Sequence, residues 1–290
     1  MVYGYFMKIA EINLNSKKVT LIDLNEKDVK KFIGGSGLGA KLLFDYTTYE
    51  IKPLSGENPL IFMTGPLTGT KAFSSDRFEV ITKSPLTGIY AESNCGGKWG
   101  EGLKKCGLDG IVILGKAENP AYISIKDDVI KIEDASHLWG KDTFTTDTLI
   151  KEKMGFNSQV ICIGKAGENL VKYACIINEG KHGRAAGRAG VGAVMGSKKL
   201  KAIGVLGTKK VKIACEQEFN QFIKGLTPNM MEQTEVLKRY GTSNGVEYCE
   251  SVGDLPIKNW YQGKWKEAKR ISGQYMAKSI LKRSEERRVG

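Results

Sequence analysis

Apolar and polar residues alternate from the start of the chain. KIAEINL and KKVTLIDL each follow a period of two and are separated by the turn-like Asn15-Ser16, which predicts a β-hairpin. EKDVKKFIGG then reads as a short amphipathic helix stopped by Gly34 and Gly35. Helical spacing resumes from Ser36 to Phe44 through Leu38, Leu42 and Leu43. PLIFMTGPLTG, FEVITKSP, GIVILGK and AYISIKDDVIKI follow as β-rich apolar runs bounded by glycine, proline or an acidic turn. DTFTTDTLIKEKMG returns to helical character, with Asp142 as N-cap and Gly155 as stop. QVICIGKAG, VKYACIIN and LKAIGVLG read as three more strands. Beyond Lys210 the pattern becomes helical, in runs such as EQEFNQFIKGL and TEVLKRYGT, so a domain boundary is placed near residue 210.

Two stretches resemble each other weakly. Gly96 to Lys116 runs from a glycine-rich loop through a short lysine-bearing helix into an apolar strand, and Gly190 to Lys209 repeats that order. Such a repeat implies two related half-domains facing one another, each offering a glycine-rich loop.

Composition narrows the class. At 290 residues the chain can hold one large domain or two, and 41% hydrophobic with 26% charged residues is ordinary for a globular protein. No apolar run is long enough to span a membrane, and MVYGYFMKIAEINLN lacks the layout of a signal peptide, so a cytoplasmic location is expected. The net charge of +12 invites a nucleic-acid reading. The lysines are spread along the chain without an RNP, helix-turn-helix or zinc-finger pattern, which favours a solvated surface. Six cysteines without a CxxC pair, and two histidines, argue against a metal site built from these residues alone.

The arginines point to chemistry. Of eight, only Arg77, Arg184 and Arg188 precede residue 239, and all lie beside small-residue stretches. A guanidinium offers a planar fork matching phosphate or carboxylate, which lysine cannot; the structural alternative is an arginine bridging loop carbonyls or acids. Eight glycines between Gly180 and Gly207, and eight between Gly88 and Gly115, would let backbone amides approach an anion, though tight turns explain many of them. A helix opening near Val194 or Gly196 would aim its first amides at that anion. Asn94 in the AESNCGG loop can present a carbonyl or amide to a ligand or ion. Thr68, Thr70 and Ser84 serve equally well as turn residues, and His137 as a turn or cap residue. IGGSGLGAKLL follows a helix with mis-spaced glycines and is no dinucleotide fingerprint, and no P-loop is present.

GPLTGT, DRFEVITKSPLTGIYAESNCGGKWGEGLKKCGLDGIVILGKAENPAYI, DASHLWGKDT, IGKAGENLVKYACIINEG and HGRAAGRAGVGAVMGSKKLKAIGV together resemble the N-terminal domain of the tungsten-containing aldehyde:ferredoxin oxidoreductases. The resemblance covers residues 5–210, and residues 211–282 are similar to the start of that family's helical second domain. It implies an α+β fold in which two β-sheets form a cofactor-cradling base, followed by a truncated, mainly helical domain. Two pterins would hold one tungsten (or molybdenum) atom through their dithiolenes, with Mg2+ bridging their phosphates. By motif match the pterin and phosphate contacts fall on Arg77, Asn94, Gly96, Arg184, Ala185 and Gly187, and the Mg2+ contacts on the Asn94 side chain and the Ala185 carbonyl. The family's [4Fe–4S] cysteines, its acid and histidine and its remaining pterin contacts lie further downstream. None of the six cysteines here matches a cluster position. RSEERRVG, residues 283–290, reads as a non-native tail, so the chain is expected to be a fragment with its catalytic residues elsewhere. The implied reaction is oxidation of an aldehyde to a carboxylate with ferredoxin as acceptor, without membrane or nucleic-acid partners and with a homodimeric parent allowed. The rival expectation is a non-catalytic module for a phosphorylated ligand.

Overall fold

The computed structural model describes residues 2–180 and 183–279, so His182 and the 283–290 tail lie outside the described residues. Two compact units emerge, Met1–Glu216 and Gln217–Gly290.

The first unit is built twice on one plan. Its first half runs β1 (Lys8–Asn13), β2 (Lys18–Asp23), α1 (Glu26–Phe32), α2 (Gly35–Tyr46), β3 (Leu60–Thr64), β4 (Phe78–Lys83), β5 (Tyr90–Cys95), α3 (Trp99–Lys105) and β6 (Gly110–Leu114). Its second half runs β7 (Ala121–Lys126), β8 (Val129–Asp134), α4 (Thr143–Met154), β9 (Gln159–Cys162), α5 (Lys165–Glu168), β10 (Ile176–Asn178), β11 (Arg184–Ala186), α6 (Val191–Ser197) and β12 (Leu200–Leu206). Each half closes one six-stranded sheet, ordered β2-β1-β6-β3-β4-β5 and, read in the matching direction, β8-β7-β12-β9-β10-β11. Within each sheet one pair is parallel, β1 with β6 and β7 with β12, and the others are antiparallel. The two resembling sequence stretches are therefore α3–β6 and α6–β12, placed alike in the two halves.

Strand alternation assigns each residue to a layer. On β3, Leu60 and Phe62 enter a core shared by both sheets, whereas Ile61 and Met63 join Val29 and Leu38 beneath α1 and α2. On β9, Ile161 enters the shared core, while Val160 and Cys162 pack with Ile150 and Met154 of α4. Trp99 of α3 stacks obliquely on Phe78 and Phe62, with ring centroids 4.7 and 5.4 Å away. Its indole donates to the Ile203 carbonyl at 3.1 Å, which ties the first sheet's helix to the second sheet. Lys104 pairs with Asp109 and Lys201 with Glu168, all inside the protein.

Four elements differ from the sequence reading. YAESNC, taken as loop, is strand β5, and RAA forms β11 inside the glycine-rich stretch. The strand expected over VKYACIIN shrinks to Ile176–Asn178. α6 opens at Val191 rather than near Val194 or Gly196, is buried throughout, and its early amides bond to the Ala174 and Gly190 carbonyls. The expected anion site at that helix end is thus corrected: the amides are already satisfied by the protein.

In the second unit the two expected helical runs join into α7 (Glu216–Tyr240), which carries Pro228 internally and buries none of its residues. α8 (Val246–Val252) and α9 (Gly273–Ser279) follow, with Leu255, Ala268 and Ser272 buried among them. Among the described residues no helix is long and apolar enough to cross a membrane.

Candidate functional site

β5 and β11 are the edge strands of the two sheets, and they lie against each other, so the halves meet at a seam. Hydrogen bonds stitch it: Arg188 N–H donates to Ser93 Oγ at 2.9 Å, and Ser84 Oγ donates to the Ala189 carbonyl at 2.8 Å. Every one of the six residues singled out for cofactor contact sits along this seam.

On the first-half side, β4 and β5 pair so that Glu79 opposes Asn94. Alternation along β5 turns Tyr90, Glu92 and Asn94 outward, while Ala91, Ser93 and Cys95 turn in. Arg77, one residue ahead of β4, donates through Nε to Asn94 Oδ1, and Asn94 Nδ2 donates to Glu79 Oε1. Both polar atoms of the Asn94 side chain are thus engaged, and Arg77 remains exposed. The other Glu79 oxygen is buried without a partner. Burial, reinforced by Glu92, pushes the Glu79 carboxyl above its ordinary range against the pull of Asn94 and Arg77. Arg77, Asn94 and Glu79 line a cavity of about 370 Å³ whose far wall includes Gly35, Pro66 and Phe73.

On the second-half side, Arg184 opens β11 opposite Asn178, Ala185 opposite Ile177 and Ala186 opposite Ile176. Arg184 and Ala185 are exposed, whereas Ala186 enters the shared core. Arg184 Nε lies 3.7 Å from Glu179 Oε2. Gly187 is exposed, and a Cβ there would meet nothing closer than Ala185 Cβ at 3.9 Å, so the surface beyond it is open.

The Gly96–Gly97 turn joins the two sides. Gly97 takes a φ of +94°, a region glycine occupies without strain. A Cβ at Gly96 would meet Arg77 Nη1 at 3.1 Å. Next to the turn, burial pushes the Cys95 thiol up to about 12, although both Arg77 and Arg184 pull it down. Arg77 thus borders the turn directly, and Arg184 reaches it through Glu179, which accepts from the Lys98 N–H. Glu79, Asn178 and Glu179 escaped the sequence reading; a polar pair ending the apolar run ACIIN, just ahead of a glycine, was the available signal.

The residues present suit an anionic group bound over the seam. Both arginines are exposed, and a glycine turn brings backbone close to Arg77. Among the described residues no group of His, Cys, Asp and Glu is arranged to hold a metal ion unaided.

The family description "Aldehyde ferredoxin oxidoreductase, N-terminal domain" matches residues 9–207, and "domains 2 & 3" of the same family matches residues 218–286. The tungsten-containing aldehyde ferredoxin oxidoreductase of Pyrococcus furiosus is 43% identical over 286 residues, covering 97% of this chain and 47% of that protein. Its counterpart from Thermococcus kodakarensis is 43% identical over 287 residues, covering 98% and 47%. The WOR-like subunit of an aliphatic sulfonate oxidoreductase from Pyrococcus furiosus is 32% identical over 278 residues, covering 90% and 44%. Among solved structures, the active site complex BamBC of benzoyl coenzyme A reductase with 1,5-dienoyl-CoA superposes with a TM-score of 0.78 at 38% identity, covering 81% of this chain and 36% of that one. The chain thus spans about half the length of the curated relatives it matches, at 47% of each of the first two. With both family descriptions matched in order and the two-sheet base in place, the chain belongs to the aldehyde ferredoxin oxidoreductase family.

Proposed function

We propose that this chain forms one face of a tungstopterin site in a protein that oxidises aldehydes to carboxylic acids, with ferredoxin as electron acceptor. The carrying observation is that two exposed arginines from different halves border one turn, Arg77 directly at Gly96 and Arg184 through the Glu179 that bonds Lys98. The names and coverage of the tungsten-containing relatives support the choice of cofactor. When bound, the metal and its pterins supply the two-electron redox chemistry, with tungsten favoured over molybdenum by the relatives' names.

The chain's own residues bind and orient. Arg77 and Arg184 neutralise the pterin phosphates. Gly96 and Gly187 keep the surface free of side chains there, so the backbone contacts the ligand directly. Asn94 Oδ1 and the Ala185 carbonyl are the proposed oxygen ligands of Mg2+. Because that Asn94 oxygen now accepts from Arg77, taking the cation would free the guanidinium for phosphate. The acid–base residues, the [4Fe–4S] ligands and the aldehyde channel are assigned to the part of the longer relatives that this chain does not span. A cytoplasmic protein, homodimeric in its whole form, completes the reading.

Elemental analysis of the whole protein from tungstate-supplied cells tests this. One tungsten per chain, with a phosphorus signal twice as large, is expected. A bound phosphorylated ligand without tungsten or molybdenum would overturn the reading in favour of a non-catalytic module.

A further inference from the structure

Asn178 ends β10 in the second half and Glu179 follows it, yet their side chains act on the first half. Asn178 is fully buried, and its Nδ2 donates to the Gly96 carbonyl at 2.7 Å. Glu179 Oε1 accepts from the Lys98 N–H at 2.9 Å, two residues further along the same turn. Between these bonds lies Gly97, whose added Cβ would meet Asn178 Nδ2 at 2.5 Å and Glu179 Oε1 at 2.9 Å. The turn is therefore moulded onto this pair, with no room for a side chain between them. Glu179 itself takes a φ of +61°, an uncommon conformation for a non-glycine residue that points to constraint by its surroundings. Its second oxygen faces Arg184 at 3.7 Å. One carboxylate thus touches both the turn and the arginine assigned to the ligand.

We infer that Asn178 and Glu179 are positioning residues, which hold the Gly96–Lys98 turn of one half and Arg184 of the other in a single ligand-receiving arrangement. The inference rests on the proposed cofactor reading for its ligand, and on geometry alone for its mechanism. Loss of either anchor frees the turn before any ligand arrives, so the ligand must order it on binding. Removal of such supporting contacts around a bound metal group typically costs on the order of tenfold in occupancy.

Two readouts on Asn178→Ala, Glu179→Ala and Glu179→Gln in the whole protein test this. Hydrogen exchange at the Lys98 amide, measured without cofactor, is expected to quicken about tenfold in Glu179→Ala. It stays near wild type in Glu179→Gln, whose amide oxygen still accepts from that N–H. Tungsten per chain should fall about tenfold in both alanine variants and by a smaller factor in Glu179→Gln, whose amide nitrogen replaces the oxygen that faces Arg184. Alanine variants that keep wild-type tungsten content, with or without faster exchange, overturn the inference, as does a Gln variant that loses tungsten as alanine does. Should the alanine variants fail to fold, Glu179→Gln still decides, since a wild-type tungsten content there would overturn the role of Glu179 in holding Arg184. A wild-type protein lacking tungsten and molybdenum would instead sink the cofactor reading, leaving the Lys98 exchange to judge the positioning.

Discussion

In the first sheet, β4 and β5 pair over six residues, from Phe78 opposite Cys95 to Lys83 opposite Tyr90; in the second, β10 and β11 pair over three. Elsewhere the two sheets share strand order, strand direction and an inner face built of alternating apolar residues. The long edge has length enough to carry side-chain chemistry, and it does so through Arg77, Asn94 and Glu79. The short edge is flanked by glycines and presents mostly backbone, with Arg184 as its one projecting charge. It depends on bonds across the seam for its shape. The repeated core fixes the fold, and the halves diverge where the site lies, as expected when function sits on the rim of a rigid scaffold.

The shared core offers the largest effect. Trp99 opens α3 and Val191 opens α6 at the matching place, both fully buried. Trp99→Ala should cost about 3–5 kcal/mol by denaturant unfolding, and Val191→Ala clearly less, because the indole alone fills the space against Phe62 and Phe78. Equal losses at the two sites would mean that the halves contribute alike to the core.

One buried lysine lies in the last turn of α3 and another caps α6, but they are treated differently. Lys104 faces Asp109, whereas among the described residues Lys198 donates to the Gly56 and Gly115 carbonyls alone. Burial lowers the Lys198 ammonium to about 7. An unfolded lysine titrates near 10.4. Between those values the unfolded chain binds a proton that the folded chain has released, so stability rises with pH by about 1.4 kcal/mol per unit. Below about 7 both states are protonated and this contribution is flat. Lys198→Met should remove the rise, measured as the difference in unfolding free energy between pH 7 and pH 9. A variant with the wild-type slope would show that Lys198 keeps its proton throughout.

The arginines sharpen the contrast at the edges. Arg77 is held by the Asn94–Glu79 relay, while among the described residues Arg184 has the longer contact to Glu179. Lysine preserves charge but not the fork, so Arg77→Lys and Arg184→Lys should each lower tungsten per chain about tenfold in the whole protein. Unchanged tungsten content in both variants would contradict their assignment to phosphate.

Sequence patterning revealed the elements whose side chains differ strongly in polarity. The β1–β2 hairpin, the β7–β8 run and α4 with its caps at Asp142 and Gly155 were legible for that reason. β5 was hidden because its inward residues, Ala91, Ser93 and Cys95, are too small or polar to mark an alternation. β11 is three residues whose strand state comes from pairing with β10, a partner no local pattern names. The start of α6 was misplaced because Val191 to Ser197 is buried on every side and shows no periodicity. For the site, arginine scarcity drew attention to Arg77 and Arg184. Asn178 and Glu179 act across the seam on residues about 80 positions away, and only the fold reveals that.

The smallest effect concerns the helices that cover the two outer faces. α4 begins with a side-chain cap, Asp142 Oδ1 accepting from the Thr145 N–H at 2.7 Å, whereas α2 begins at Gly34 with none. That bond holds the Asp142 carboxyl below its ordinary value. A carboxylate lowered in the folded state contributes fully above its unfolded value near 3.9, and the contribution is lost as pH falls through the folded value. Asp142→Ala should therefore lower Tm by about a few degrees at neutral pH, and by progressively less in acid. Asp142→Asn, which keeps an acceptor, should fall by less than alanine. The reverse experiment on α2 should gain nothing: a Cβ at Gly34 would meet the Thr64 carbonyl at 2.9 Å, so Gly34→Ser adds a cap only by displacing β3. A Gly34→Ser variant more stable than wild type would show that the first half simply lacks a cap it could hold. A destabilised one would show that the close approach of helix to strand excludes it.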